Sequence, residues 1–580
     1  MLRSVCSLTC LFLFAALVSF PTGVQSQFLQ QGSRLLPVNG INQSYFGFSV
    51  ALSGDGNTAV IGGHSDNLGQ GAAWVYERSG AAWLMKAKLQ VSGQGGFRLG
   101  VAVAISTDGN TILLGGDASD ANRGAAWVFV RQQDQWEQEA KLTGNDVNGP
   151  ALMGISVALS ADGNTAIVGG SHDNASLGAA WVFERDNGAW SQQGPKLVGT
   201  GSIGPAVYQG AAVALSADGS TALVGGWEDN DRVGAAWVFV RSGGAWLQQG
   251  TKLTGSDGGK PATGYAVGLS ADGNTAIVGA FNGNSGRGGA YVFQRSGVQW
   301  QQAGPLIAGT DNNGPSIQGR SVSISADGKL AVISGELDSY SVGAAWVFRK
   351  EGASWMQLGT KLVGTDYVGF SNQGRSSALS ADGSTILVGG FQDSGLVGAA
   401  WIFHAAEAPV MEQYHPVVAG PGAPVLLSGI NFSDTVQEVR FGGVPAASFT
   451  RVNATTFEAR VGNGASGKVT VKTSRGTAVM EGFVFSQATA VRRLNPGEEL
   501  SLLPNPVADV LVVRFQLQQQ SHMYIAVYNS SGSCLLRQQA RAPQTSVSLR
   551  HLPPGLYVIH LTSPDNRRRF THRFVKVNTP

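Results

Sequence analysis

The stretch AAVALSADGSTALVGG, residues 211–226, contains two short apolar runs joined by Asp218-Gly219. Glycine can adopt the positive φ that a tight turn needs, so the stretch predicts a β-hairpin. Two more runs follow, GAAWVFVR at residues 234–241 and WLQQGTKL at residues 246–253. The second and third runs are apolar at consecutive positions, which indicates strands buried on both faces, whereas the fourth keeps the polar positions of a half-exposed outer strand. The segment therefore predicts one sheet of four strands.

This pattern recurs along the chain at intervals of 53 to 56 residues. Its seven turn aspartates are Asp55, Asp108, Asp162, Asp218, Asp272, Asp327 and Asp382. Charged residues make up only 13% of the chain and glycines number 81, which disfavours long exposed helices. Sheets buried on both faces near a centre, with wet outer edges, are what radially packed propeller blades require. We therefore predict an all-β fold, with a seven-bladed β-propeller over residues 27–404.

The seventh copy lacks a fourth strand, because the composition changes after Phe403. The missing strand is found near the N-terminus, where FLQQGSRL at residues 28–35 matches WLQQGTKL at residues 246–253 in residue type at every position. Pairing this segment with the seventh copy would join the two ends of a ring and leave no bare edge there. A solenoid is the rival architecture, but it would need capping repeats, which a split repeat does not provide.

The first 26 residues have the pattern of a secretory signal peptide. Arg3 is followed by an apolar run over residues 11–20, and small residues precede a cleavage position before Gln27. The run is too short to span a bilayer comfortably, and no later stretch is apolar for about 18 residues. Cleavage would leave Cys534 as the only cysteine, so we expect no internal disulfide.

The first copy carries the segment Tyr45-Phe46-Gly47, followed by a strand that ends in Gly62-Gly63. It resembles the FG-GAP repeat, a family that builds β-propellers, including the head of integrin α chains. Calcium binding does not carry over, because the family's calcium loops need several carboxylates before a glycine and each turn here offers one. We predict no metal site and no cofactor.

Residues 409–487 are a separate module with a pattern of alternating short strands. It contains the segments Gly429-Ile430-Asn431-Phe432 and Phe441-Gly442-Gly443. They resemble an IPT/TIG domain, which implies an immunoglobulin-like sandwich that acts as a spacer or interaction module.

Residues 498–580 form the last predicted module. They resemble the C-terminal sorting domain of the type IX secretion system, and the residues that carry the resemblance are Pro504, Asn505, Pro506, Gly555, Tyr557, Phe574 and Lys576. The resemblance implies a small β-sandwich that is recognised by the type IX machinery. It also implies export through the periplasm to the outer-membrane surface, or beyond it, of a Gram-negative bacterium of the Bacteroidetes type. Basic residues exceed acidic ones here, but no aromatic stacking platform accompanies them, so we expect no nucleic-acid partner.

The loops between the second and third strands vary among the copies, whereas the Asp-Gly turns of the opposite face are nearly constant. A constant face opposite a diversified one is typical of a binding surface, although relaxed loops would look similar. The variable loops contain more carboxylates than basic residues, so this face is expected to be acidic. The candidate ligand-binding residues are Trp227, Glu228, Asp229, Asp231, Phe281, Phe391 and Asp393.

We find no sequence pattern of a catalytic centre and predict no catalytic residues. The leading hypothesis is a secreted or cell-surface binding or adhesion protein, monomeric and non-enzymatic, whose propeller loops engage a glycan or a protein. One alternative is an exported hydrolase acting on polysaccharide, with loop carboxylates such as Asp229 and Asp231 as acid and base. Another is a structural envelope protein with no ligand of its own.

Overall fold

The computed structural model describes residues 28–93, 96–405, 409–430, 432, 436–453, 455–473, 476–486, 499–503, 505, 507–516, 522–529, 533–541, 543–564 and 569–577. The predicted signal peptide, residues 1–26, lies outside the described residues. The chain divides into two compact units, one over Gln27–Ala406 and one that contains Glu407–Pro580. Strands dominate both units, as the sequence predicts.

The described part of the first unit contains seven antiparallel sheets of four strands. Sheets 1 to 3 comprise Ser49–Leu52, Thr58–Gly63, Ala72–Ser79 and Ala82–Leu89; Val103–Ile105, Thr111–Gly116, Ala125–Gln132 and Gln135–Leu142; and Ser156–Leu159, Thr165–Gly170, Ala179–Asp186 and Ala189–Gln192. Sheets 4 and 5 comprise Ala212–Leu215, Thr221–Gly226, Ala235–Ser242 and Ala245–Gln248; and Thr263–Leu269, Thr275–Ala280, Ala290–Ser296 and Gln299–Gln302. Sheets 6 and 7 comprise Ser321–Ile324, Leu330–Gly335, Ala344–Glu351 and Ser354–Gln357; and Ser376–Leu379, Thr385–Gly390, Ala399–Ala405 and Phe28–Gln30.

The seven sheets form a closed, propeller-like ring. The first strand of each sheet contacts the first strands of the sheets before and after it, and that of sheet 7 contacts that of sheet 1. At the Asp-Gly turns, a circle of backbone hydrogen bonds runs from sheet to sheet. It begins with the Gly54 amide, which donates to Thr107 at 2.9 Å, and returns with the Ala381 amide, which donates to Gly54 at 3.0 Å. Adjacent sheets pack through the strands that are buried on both faces, such as Thr221–Gly226.

The N-terminal strand lies at the outer edge of sheet 7, where Phe28 pairs with Ala405 and Gln30 with Phe403. The strand ends there, Gly32 turns the chain with a φ of 72°, and Leu35 returns to bridge Ala400. Sheet 4 repeats this course. Its strand ends at Gln248, Gly250 turns with a φ of 73°, and Leu253 bridges Ala236. In sheets 4 and 7 the fourth run is therefore a short strand and a bridge on either side of a glycine, whereas in sheets 1 and 2 it is the continuous strand that the sequence predicts.

Each Asp-Gly turn is held by its own side chains, as in sheet 4. Ser216 donates to Asp218 Oδ1 at 2.5 Å and accepts the Thr221 amide at 2.9 Å. Asp218 also accepts the Ser220 amide and the Ser220 hydroxyl. Partial burial tends to raise the pKa of Asp218, but these hydrogen bonds outweigh it and lower the pKa below its usual value. The turns are thus structural parts of the ring, which explains why they hardly vary.

A four-residue helical turn follows the second strand of each sheet, and its two central residues adopt left-handed dihedrals. These turns are Asp66–Gly69, Ser119–Asn122, Asp173–Ser176, Asp229–Arg232, Gly283–Gly286, Asp338–Ser341 and Asp393–Leu396. They form the face opposite to the Asp-Gly turns, so the variable loops share one end of the ring.

The described part of the second unit contains two pairs of sheets. In the first pair, Val410–His415, Pro424–Ile430, Thr456–Arg460 and Ser448–Arg451 share a hydrophobic core with Val418–Ala419, Gly476–Phe485, Gly467–Thr473, Val436–Phe441 and Val444–Pro445. In the second pair, Glu499–Leu503, Val510–Gln516 and Gln544–Ser548 share a core with Cys534–Arg541, His522–Tyr528, Gly555–Thr562 and Arg569–Lys576. Each pair is a β-sandwich.

Candidate functional site

A cavity of about 530 Å³ lies at the centre of the ring, lined by the first strands of all seven sheets. Seven equivalent residues, each following a glycine at or just before the start of the first strand, contribute to its wall. They are Phe48, Val101, Ile155, Ala211, Tyr265, Arg320 and Arg375. Because the fold requires no particular side chain at this position, the differences among the copies give the cavity a distinct chemistry in each sector.

The glycine before each of these residues is required by close approach of the backbone. Gly100 has a φ of 84°, and a Cβ atom there would lie 2.4 Å from the carbonyl oxygen of Ala72. The residue three positions before Val101, Arg98, also has a positive φ, 54°, and so does Tyr208 at the equivalent position, 58°. The chain is therefore held in one unusual conformation, which fixes the direction of the next side chain into the cavity.

One sector of the cavity is an aromatic wall. Tyr208 and Trp227 are stacked with their ring centroids 5.5 Å apart and their planes at 9°. Trp227 also contacts Tyr265 at 5.9 Å, and Tyr265 contacts Phe281 edge to face at 4.8 Å. Tyr208, Trp227 and Tyr265 line the cavity, whereas Phe281 lies behind them. Such a wall offers flat apolar surface together with hydroxyl and indole N–H groups.

The next sector carries the charge of the cavity. Arg320 lies over the ring of Tyr265 at 4.3 Å, and Arg375 lies over the ring of Phe48 at 4.1 Å. Glu336, which is buried, places Oε1 2.9 Å from Nε of Arg320 and Oε2 3.9 Å from Nε of Arg375. Burial, followed by the positive charge of Arg375, lowers the pKa of Arg320 from its usual value. Two cations therefore share one carboxylate in a partly desolvated position.

A second aromatic cluster supports Arg375. The His64 ring lies 4.3 Å from Phe48 and 5.3 Å from Tyr45, and Phe391 lies 5.6 Å from each of Phe48 and Tyr45. Burial, followed by the charges of Arg98 and Arg375, lowers the pKa of His64 to about 3, so the ring is neutral at pH 7. His64 thus contributes packing rather than charge.

Among the sequence-predicted residues, Trp227 lines the cavity. Phe281 and Phe391 lie behind the lining in the two aromatic clusters. Glu228 pairs with Arg232 at 3.0 Å, and exposed Asp231 pairs with Lys260. These two carboxylates lie outside the cavity lining.

The carboxylates of Asp229 and Asp393 are fully buried and have structural partners. Asp229 accepts the Ile203 amide at 2.7 Å and pairs with Lys252 at 2.5 Å. Asp393 accepts the Val368 amide at 2.8 Å and pairs with Arg34. The same arrangement holds Asp66, Asp173 and Asp338. We therefore leave Asp229 and Asp393 out of the candidate site, because each pins an incoming loop to its sheet.

These pairs also correct the expected charge of the face. Their cations, such as Lys252 and Arg34, follow the fourth strands, so they do not belong to the loops whose carboxylates they neutralise. Among the described residues that line the cavity, only Arg320 and Arg375 are of the types Arg, Lys, Asp or Glu. The face is therefore not simply acidic, and its centre is positive.

Four residues missed in the sequence line the cavity, namely Tyr208, Tyr265, Arg320 and Arg375. The sequence did contain a signal for three of them. The position after the first-strand glycine reads Phe, Val, Ile, Ala, Tyr, Arg and Arg along the seven copies. Charged and aromatic side chains at one position of an otherwise small and apolar strand indicate a surface that the core does not fill.

In the C-terminal module, the described motif residues hold the last strand. Asn505 accepts the Val575 amide at 3.0 Å, Gly555 pairs with Lys576, and Tyr557 stacks on Phe574 at 5.6 Å. The ammonium group of Lys576 donates to the carbonyl of Ala508 and is nearly buried. Pro504 and Pro506 lie outside the described residues.

Comparison with known families finds two matches. The family described as "Secretion system C-terminal sorting domain" matches residues 501–577, and the "FG-GAP repeat" family matches residues 29–76 and 136–183. The chain carries FG-GAP repeats and a type IX sorting domain. This domain implies interaction with the secretion machinery and export to the cell surface or beyond it. No curated protein matches the chain. No described helix has the length and apolar character needed to cross a membrane.

Three solved structures illustrate the distant structural neighbours. Hydrazine synthase of Kuenenia stuttgartiensis is 14% identical with a TM-score of 0.40, over 61% of this chain and 95% of that one. A fungal alcohol oxidase of the AA5 family is 12% identical with a TM-score of 0.41, over 96% and 100%. The GH74 xyloglucanase of Xanthomonas campestris is 12% identical with a TM-score of 0.38, over 96% and 95%. At these TM-scores the likenesses carry no argument about function.

Proposed function

We propose that the chain is a non-catalytic binding protein of the bacterial surface or exterior, and that its ligand occupies the central cavity. The supporting observation is the cavity lining, to which the stacked pair of Tyr208 and Trp227 contributes an aromatic wall. Concave sites with aromatic walls and a few convergent polar groups are the usual form of small-ligand sites. We favour a glycan over a protein, because a cavity of about 530 Å³ suits a few sugar rings rather than a folded surface.

In this proposal each module has a separate task. Residues 27–404 are a seven-bladed β-propeller closed by the segment Phe28–Leu35, and the ring of seven sheets supports this reading. Residues 409–487 are an IPT/TIG spacer, supported by the two sheets that share a core. The sorting domain delivers the protein, which acts as a monomer without a cofactor.

A hydrolase that uses loop carboxylates finds no support in this arrangement. The cavity lining contains no Asp or Glu among the described residues. Asp229, one of the two carboxylates that such a mechanism would use, is buried against Lys252.

The proposal is tested with the mature full-length protein on a glycan array and in pull-downs from the native environment. Replacing Trp227 by alanine removes half of the stacked pair and should weaken binding at least about tenfold, or ~1.4 kcal/mol. Trp246→Ala is the matched control, because Trp246 is half-buried on the outer strand of the same sheet and does not line the cavity. Failure of the native protein to bind any glycan or protein would contradict the proposal, as would equal losses in the two variants.

A further inference from the structure

The charge of the central cavity has a physical consequence for what it can bind. Arg320 and Arg375 come from adjacent sheets and face the same buried carboxylate, that of Glu336. One negative charge cannot compensate two positive ones, so the cluster keeps an excess positive charge in a position with little solvent. The side chains of Arg320 and Arg375 are only 23% and 16% exposed to solvent. A partly desolvated cation is stabilised by a second anion, and a ligand can supply one.

The geometry leaves donors for that anion. Glu336 makes its closest contacts through Nε on both arginines, and neither guanidinium group has a second carboxylate partner among the described residues. Each guanidinium plane is fixed against an aromatic ring, Tyr265 for Arg320 and Phe48 for Arg375. A guanidinium group presents its N–H donors in a planar fork that fits the two oxygens of a carboxylate. A ligand carboxylate is therefore a suitable second anion for this pair.

The surroundings of the pair indicate a ring-shaped, hydroxyl-rich ligand. Tyr265 contacts both Arg320 and Trp227, so a single aromatic ring separates the positive charge from the stacked Tyr208 and Trp227. Serine hydroxyls complete the lining at six positions, Ser49, Ser156, Ser171, Ser321, Ser376 and Ser377. Ser49, Ser156 and Ser376 donate to backbone carbonyls and keep their acceptor lone pairs for the hydroxyl donors of a ligand.

We propose that the ligand of the central cavity is an acidic saccharide, whose uronate carboxylate binds Arg320 and Arg375 while a sugar ring stacks on Trp227. This inference rests on the proposed function and adds the chemical class of the ligand. A peptide that ends in a carboxylate would also satisfy the arginines and has N–H donors of its own, so it is the alternative that the test must separate. We favour the saccharide because a sugar ring carries several hydroxyl groups and also has an apolar face for the aromatic wall.

The test measures binding of the mature full-length protein to polygalacturonate, alginate and hyaluronate by calorimetry. Each polymer is compared with its carboxyl-reduced form, which keeps the rings and loses the charge. At least one acidic polymer should bind ten times more tightly than its reduced form, and its affinity should fall as salt is raised. Arg375→Gln should remove this preference, whereas Lys260→Gln should keep it, because Lys260 is exposed and lies outside the cavity lining.

Arg375→Lys keeps the positive charge but loses the planar pair of N–H donors, so it should bind the acidic polymer with intermediate affinity. It replaces Arg375→Gln in the test if the glutamine variant does not fold. Equal binding of acidic and reduced polymers, or retention of the preference in Arg375→Gln, would overturn the inference. So would binding of a peptide with a free carboxylate when no acidic polymer binds. If neutral glycans bind through Trp227 alone, the acidic class is wrong and the proposed function stands. If nothing binds, both are wrong.

Discussion

Replacing Arg34 by alanine removes the only cation that contacts the buried carboxylate of Asp393 among the described residues. The Asp393 side chain has no exposed surface, and that of Arg34 keeps 16%. Removing one partner of a buried pair costs about 3–5 kcal/mol, because the remaining charge stays desolvated. Asp393 still accepts hydrogen bonds from the Val368 amide and the Ser394 hydroxyl, so we expect the free energy of unfolding to fall by about 3 kcal/mol, the lower end of that range.

The control is Lys141→Ala, which breaks a pair in an exposed setting. Lys141 contacts Asp120 at 2.8 Å, but the two side chains keep 36% and 53% of their exposure. Breaking an exposed pair costs about 0–1 kcal/mol, because water replaces the lost partner. The two variants change the same kind of contact on the same face of the ring, and they differ mainly in burial.

Unfolding can be followed in the full-length protein. All 13 tryptophans lie between Trp74 and Trp401, so their fluorescence in a urea titration reports on the ring alone. Adding Asp393→Asn to Arg34→Ala removes the unpaired charge and keeps an oxygen for the Val368 amide, so part of the lost stability should return. Equal midpoints for Arg34→Ala and Lys141→Ala would refute the reasoning from burial, as would further destabilisation in the double variant.

Two further predictions concern the frame of the ring. Gly100→Ala should lower the free energy of unfolding by at least about 2 kcal/mol, because the added methyl group clashes with the backbone at a position whose φ already disfavours a side chain. Gly80→Ala, at a φ of 61° with open space around it, should lower it by about 1 kcal/mol. Similar urea midpoints for the two variants would contradict this expectation. Asp218 and its six counterparts have pKa values below those of the unfolded chain, so their contribution to stability is present above about pH 4 and is lost as the pH falls through their folded values. Asp218→Asn should therefore flatten the acid limb of a stability–pH profile, and an unchanged limb would count against that role.

The sheets of four strands follow from sequence because their determinants are local. The run Thr221–Gly226 is apolar at nearly every position, and the Asp218-Gly219 turn lies directly before it. The same pattern recurs in seven copies, so a strand that is poorly defined in one copy can be assigned from the others. The course of the fourth strand was harder to predict, because the turn at Gly250 interrupts a pattern that otherwise continues to Leu253.

The candidate site followed from sequence only in part, and the reason is distance along the chain. Trp227 was recognised because it follows directly on a predicted strand. The carboxylate of Asp229 was assigned to a ligand because Lys252, its partner, lies 23 residues further along the chain. Counting charges loop by loop cannot detect a cation that another strand supplies. Arg320 and Arg375 do not stand out for the converse reason, since they lie beside the first strands of their sheets and not in the variable loops.

Two kinds of buried charge in the described part of this ring differ in how often they recur. A buried aspartate that pins a loop and meets a Lys or Arg occurs in five of the seven copies, because each loop meets the same mechanical need. Glu336 and its two arginines occur once, across sheets 6 and 7. Copies with Val101, Ile155 and Ala211 at the equivalent position form the same strands without them, so the fold does not require this cluster. A partly desolvated charge that the fold does not require is costly to keep. The proposed role of Arg320 and Arg375 in ligand binding would account for that cost.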